Sequence, residues 1–141
     1  MVAGGDMERR AFTEVRTVGR RIEGYAATFN SEARLGGFVE RIAPGAFKEA
    51  LNGDILALLD HDMGKVLGRT RSGTLRLMED SKGLAFSLDL PDTQAGRDVL
   101  SLAERGDLGG MSFGFMVPKG GESWHGEQRT LTRISLKEIS I

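Results

Sequence analysis

Ser112 lies between two glycines, in Gly110-Met111-Ser112-Phe113-Gly114, at the start of an apolar run over residues 113–117. A serine hydroxyl becomes a strong nucleophile only when an imidazole within hydrogen-bond reach removes its proton, and that imidazole needs a third group to fix its tautomer. Flanking glycines let the backbone turn tightly and approach a substrate closely. The chain holds two histidines, and one of them, His61, ends a second strand-like run in Leu58-Leu59-Asp60-His61-Asp62. A Ser/His hydrolase is therefore the sharpest chemical reading of these residues. The pentad alone is weakly specific: with 20 glycines and nine serines in the chain, chance supplies about 0.2 such matches.

The same pentad forms the nucleophile elbow of α/β-hydrolases, where strand, sharp turn and helix follow in order and the histidine comes last. Here residues 113–118 read as strand, and His61 precedes Ser112 by 51 residues, so a different fold must present the serine. Backbone N–H groups of Gly109, Gly110 and Ser112 are the candidates for stabilising an oxyanion, because glycine takes the dihedrals that such convergence requires. Lys65, Arg69 and Arg71 form a basic cluster after the histidine. Arg69 is its candidate for a substrate carboxylate or oxyanion, set against the commoner role of such a run as a solvated loop. Asp60 and Asp62 flank His61, but neighbouring strand side chains point to opposite faces and orient its ring poorly.

These residues must be positioned by a small, turn-rich scaffold. The 141 residues fit one domain with one core. There is no cysteine, which excludes a disulfide framework and a thiolate zinc site, and no metal or cofactor is expected. Nineteen basic against twenty acidic side chains leave a formal charge of −1, giving no electrostatic reason to expect nucleic acid or anionic lipid as a main partner. No apolar run approaches a membrane span and no basic-then-apolar leader opens the chain, so a soluble protein is expected.

Residues 21–29, 38–42, 55–60, 74–80, 84–90, 129–134 and 136–141 carry strand patterns, with a hairpin signal at Ser81-Lys82-Gly83. Residues 30–37 read as a loop, and residues 122–127 as a polar turn carrying Trp124 and His125. Pro44 opens a predicted helix over residues 45–51. Thr93 caps a second over residues 94–105, stopped by Gly106. The pattern predicts an α+β, mostly β fold: a barrel-like antiparallel sheet of about seven strands with outer helices. Residues 1–8 read as a flexible tail and residues 9–141 as a single domain.

Nine blocks carry a family resemblance. In chain order they are Arg21-Ile22-Glu23-Gly24-Tyr25-Ala26, Glu40-Arg41-Ile42-Ala43-Pro44-Gly45-Ala46-Phe47, His61-Asp62, Val66-Leu67-Gly68-Arg69-Thr70, Gly73-Thr74-Leu75, Asp92-Thr93 with Gly96-Arg97-Asp98, Gly106-Asp107-Leu108, Met111-Ser112-Phe113-Gly114-Phe115 and Glu138-Ile139-Ser140. Together they resemble the prohead maturation proteases of tailed bacteriophages. The resemblance implies a serine endopeptidase with a fold like that of the herpesvirus assemblins. It would act in the host cytoplasm inside the assembling prohead, on the major capsid protein precursor or its scaffold segment and on itself. A homo-oligomeric state is left open. The motif histidine and serine of the family carry over to His61 and Ser112.

Assemblins place their third group after the serine, on a late strand, and use a second histidine. Glu138 lies 26 residues beyond Ser112 in the Glu-Ile-Ser block, where a carboxylate can serve the same role. His125 is the rival, but it falls in a glycine-flanked polar turn. Assemblins also draw on an arginine-bearing loop beyond the third residue, whereas this chain ends three residues after Glu138. That ending reads as a truncation or a self-cleavage product. The competing class is a catalytically inactive capsid scaffold or assembly protein with the same fold, whose expected signature, decay of the serine or histidine motif, is absent.

Overall fold

Every second residue around Ser112 is a large apolar one. Met111, Phe113 and Phe115 point to one face of their strand and are 1%, 2% and 0% exposed, which leaves Ser112 and Gly114 on the other face. The Phe47 ring packs edge-on against Phe113 at 5.8 Å and lies 6.4 Å from Phe29. Full burial of each phenylalanine stabilises the fold by about 1.5–3 kcal/mol, so the serine's strand is held by the core it covers.

The computed structural model describes residues 7–12, 15–108 and 110–141. Its strands are β1 (Glu8–Phe12), β2 (Val15–Val18), β3 (Arg21–Thr28), β4 (Ala33–Leu35), β5 (Phe38–Ile42), β6 (Leu56–Leu59), β7 (Asp62–Arg69), β8 (Leu75–Glu79) and β9 (Gly83–Asp89). After helix α1 (Gln94–Arg105) come β10 (Met111–Met116), β11 (Glu122–His125), β12 (Gln128–Leu131) and β13 (Ser135–Ser140). They form three sheets, in the orders β1-β10-β13-β6-β7, β11-β12-β5-β4 and β2-β3-β9-β8.

The mostly β expectation holds, but the single barrel-like sheet does not: among the described residues there are three separate sheets, none closed into a barrel. Pairs β13–β6 and β12–β5 are parallel. A parallel pair needs a long crossover rather than a hairpin, so its partners are far apart in sequence. Strand periodicity marks the buried face but does not identify the neighbouring strand. The residue 30–37 loop contains β4, and the expected polar turn at 122–127 is largely β11.

Among the described residues α1 is the one α-helix. The Thr93 hydroxyl caps it, accepting the Gly96 N–H at 3.1 Å, and Gly106 ends it at φ 78°. The expected helix after Pro44 is instead a series of turns ending in one 3₁₀ turn, Ala50–Asn52. Gly45 has φ 91°, which breaks a right-handed helix at its first residue.

A charged cluster ties the first sheet to the second. Arg10 on β1 donates to both carboxylate oxygens of Glu40 on β5, at 2.7 and 2.9 Å. Arg129 on β12 donates to Glu8, Glu40 and Glu122 at 2.8, 3.1 and 3.2 Å. Hydrogen bonds from Arg129 hold the Glu8 carboxyl below its ordinary range. This is how buried Glu40 and Arg129, 3% and 6% exposed, are accommodated. Within its own sheet β1 pairs antiparallel with β10, with Ala11 opposite Ser112.

Candidate active site

His61 stands in a two-residue turn between β6 and β7, with Leu59 paired to Asp62. Asp60 and His61 have φ of 52° and 57°, the double positive φ of a type I′ hairpin turn. Such turns favour Asn-Gly, and a non-glycine residue in this region costs about 1–3 kcal/mol. The end of β13 offsets that cost. The Asp60 N–H donates to the Ile141 carbonyl at 2.8 Å, the Ile141 N–H to the Leu58 carbonyl at 3.0 Å, and the His61 N–H to Ser140 Oγ at 3.0 Å.

β13 runs between β10 and β6, so its residues meet both the serine strand and the strand that leads to the histidine. Ser112 lies opposite Ser140, and Gly114 opposite Glu138. Ile139 points into the core, which leaves Glu138 and Ser140 together on the face that carries Ser112. There His61 Nδ1 lies 2.6 Å from Glu138 Oε1 and 3.1 Å from Oε2, while Nε2 lies 3.0 Å from Ser112 Oγ. The Ser140 hydroxyl donates to Glu138 Oε1 at 2.6 Å. The His61 and Glu138 side chains are 17% and 11% exposed, so the pair is sheltered, and Ser112 is half-buried.

This geometry sets the tautomer. Nδ1–H donates to the carboxylate, which leaves the Nε2 lone pair to accept the Ser112 proton. The second glycine of the pentad has a separate task. A Cβ on Gly114 would sit 2.7 Å from Glu138 Oε2, so glycine here makes room for the carboxylate.

A serine, an imidazole and a carboxylate in this relay are the parts of an acyl-transfer site, and comparison with protein families gives a match in the same sense. The family model described as caudovirus prohead serine protease matches residues 6–141. The chain belongs to this family. Comparison with curated proteins and with solved structures gives no match. The prohead serine protease family acts in the assembling phage capsid.

Within this prohead protease chain the other candidates lie apart from the relay. His125 is exposed at the end of β11, in a different sheet from His61. Arg69 is on β7 rather than in a loop, opposite Leu56, whose other neighbour is Glu138. It is therefore two strand spacings, roughly 10 Å, from Glu138 along the sheet. Its guanidinium is taken by Asp54 and holds the Asp54 carboxyl down to about 2. Gly110 directly precedes β10 with φ 123°, a backbone setting that favours glycine. Gly109 lies outside the described residues.

Two contributors escaped the sequence reading. Ser140 was within the Glu-Ile-Ser block, and its period-two spacing from Glu138 was the available signal. In the pentad Gly114 reads as a turn-former, and its place opposite Glu138 makes it space for a carboxylate. Among the described residues no cluster of three or more His, Cys, Asp or Glu side chains is arranged to hold a metal ion. No helix among them is long and apolar enough to cross a membrane.

Proposed function

We propose that this chain is a serine endopeptidase of prohead maturation, cleaving scaffold segments of the capsid precursor and itself through an acyl-enzyme. One observation carries this reading: a single imidazole lies within hydrogen-bond reach of Ser112 Oγ on one side and Glu138 on the other. Ser112 Oγ attacks the scissile carbonyl carbon as its proton passes to His61 Nε2. Glu138 stabilises the resulting imidazolium. The tetrahedral intermediate collapses, the C–N bond breaks, and His61 returns the proton to the leaving amine. Water then attacks the ester by the same route, releasing the acid and regenerating the Ser112 hydroxyl. Backbone N–H groups just before β10, where Gly110 at φ 123° supplies the freedom to aim them, stabilise the oxyanion. Arg69 has no part in this scheme, since Asp54 engages it.

The same reading takes the architecture as herpesvirus-protease-like. Chain order supports it, with the histidine first, the serine next and the third group on a late strand.

Incubation with the cognate capsid precursor tests the function. Discrete shorter products are expected, with termini mapped by mass spectrometry. An intact precursor alongside rapid hydrolysis of small esters would replace the endopeptidase with an esterase, and no turnover of either would favour an inactive scaffold.

Two variants probe the carboxylate. Glu138→Gln keeps the shape and removes the charge that stabilises the imidazolium, so turnover should fall by roughly 10²- to 10⁴-fold. Wild-type turnover in that variant would remove Glu138 from the relay. Gly114→Ala places a methyl against Oε2, and the carboxylate must shift against the Ser140 and His61 contacts that hold it, so some stability should be lost. Displacement of about 1 Å is also enough to cost on the order of 10²-fold in rate. Thermal melting and turnover measured together check this, and unchanged turnover would mean that the carboxylate position is not limiting.

A further inference from the structure

We infer that Ser140 is a positioning residue that locks the His61 turn and the Glu138 carboxylate into one unit. The inference rests on the proposed Ser112/His61/Glu138 relay. Ser140 is 2% exposed, and its hydroxyl has the capacity to do two things at once: donate its one proton and accept another. Both directions are committed to the relay. The proton goes to Glu138 Oε1 at 2.6 Å, and the oxygen accepts the His61 backbone N–H at 3.0 Å.

The consequence lies in which atoms are joined. Oε1 is also the carboxylate oxygen nearest His61 Nδ1, so a single oxygen receives both the ring and the Ser140 hydroxyl. Oε2 faces the backbone of Gly114, which leaves the carboxylate walled on one side and tethered on the other. The His61 N–H belongs to the positive-φ turn that aims the ring. One hydroxyl therefore connects the main chain that carries the base to the group that orients it. Its strand pairs it directly with Ser112, so Ser112, Glu138 and Ser140 share one face of adjacent strands, and the β6–β7 turn brings His61 to them.

A serine that merely satisfied its own buried hydroxyl would affect stability alone. A positioning serine predicts more. Ser140→Ala should lower kcat by about 10- to 100-fold with KM within about twofold, because the ring is misaimed while substrate contacts persist. The low-field proton resonance of His61 Nδ1–H, read on ¹⁵N-histidine-labelled protein in a Ser112→Ala background, should move or broaden when Ser140→Ala is added. That readout does not depend on turnover. Unchanged kcat together with an unchanged resonance would overturn the inference.

Should Ser140→Ala fail to fold, Ser140→Thr and Ser140→Cys decide the matter. Threonine keeps the hydroxyl and should retain most of the turnover, whereas the weakly donating thiol of cysteine should not. A cysteine variant as active as the parent would also overturn it. Failure of the relay itself is recognised separately, by wild-type turnover in Glu138→Gln. An impaired Glu138→Gln beside an unimpaired Ser140→Ala sinks only the positioning role.

Discussion

Ser112→Ala is expected to abolish self-processing and precursor cleavage, with a loss of the order of 10⁶-fold, and to leave the fold intact. The size follows from the chemistry. Without a nucleophilic oxygen no acyl-enzyme forms, and only the binding and oxyanion contributions remain, which in serine proteases leave about 10³- to 10⁴-fold over water. The structural innocence follows from the strand. Ser112 points away from the core face that Met111, Phe113 and Phe115 fill, so trimming its oxygen removes no buried apolar contact. Circular dichroism and thermal melting should match the parent, and undiminished processing would remove Ser112 from the mechanism.

His61→Ala should lose about 10³- to 10⁶-fold in turnover. The imidazole reaches both partners, at 3.0 Å to the hydroxyl and 2.6 Å to the carboxylate, and alanine replaces neither contact. Alanine keeps a Cβ at φ 57°, so the turn carries the same strain as before and any stability change reports the lost side chain. The double variant with Ser112→Ala should be no worse than the poorer single one, because residues that work as a unit are non-additive. Losses that multiply would mean that the two side chains act independently.

The parts of the candidate site legible in the sequence are those that depend on residue type and order. Ser112 and His61 stood out because few residues can act as nucleophile and base. Glu138 followed from the family resemblance, through its Glu-Ile-Ser block and a third group that comes after the serine on a late strand. The helix cap at Thr93 and the stop at Gly106 were legible because capping is local chemistry. What escaped depends on pairing across the sheets. No local signal places β13 between β10 and β6, yet that placement brings Glu138 under the His61 ring and Ser140 against the turn. In sequence the turn itself looks like a strand end, because Asp-His lacks the Asn-Gly signature of a type I′ turn. Its positive φ values are held by the end of β13, a tertiary contact about 80 residues away in sequence.

The role of Gly114 was hidden for the same reason, since the need for empty space appears only when Glu138 is placed opposite. Arg69 illustrates the converse. Its charge and proximity to His61 in sequence suggested a substrate contact, but β7 carries it two strands from the relay and gives it Asp54 as partner.

The central claim, that Ser112 is a nucleophile activated by His61 and Glu138, is tested most directly by the site and rate of covalent labelling with a fluorophosphonate probe. Mass spectrometry of the digested protein should place a single adduct on the peptide containing Ser112. The labelling rate should fall by at least 10²-fold in Glu138→Gln and further in His61→Ala. An adduct on another residue, or equal labelling rates in all three proteins, would contradict the account.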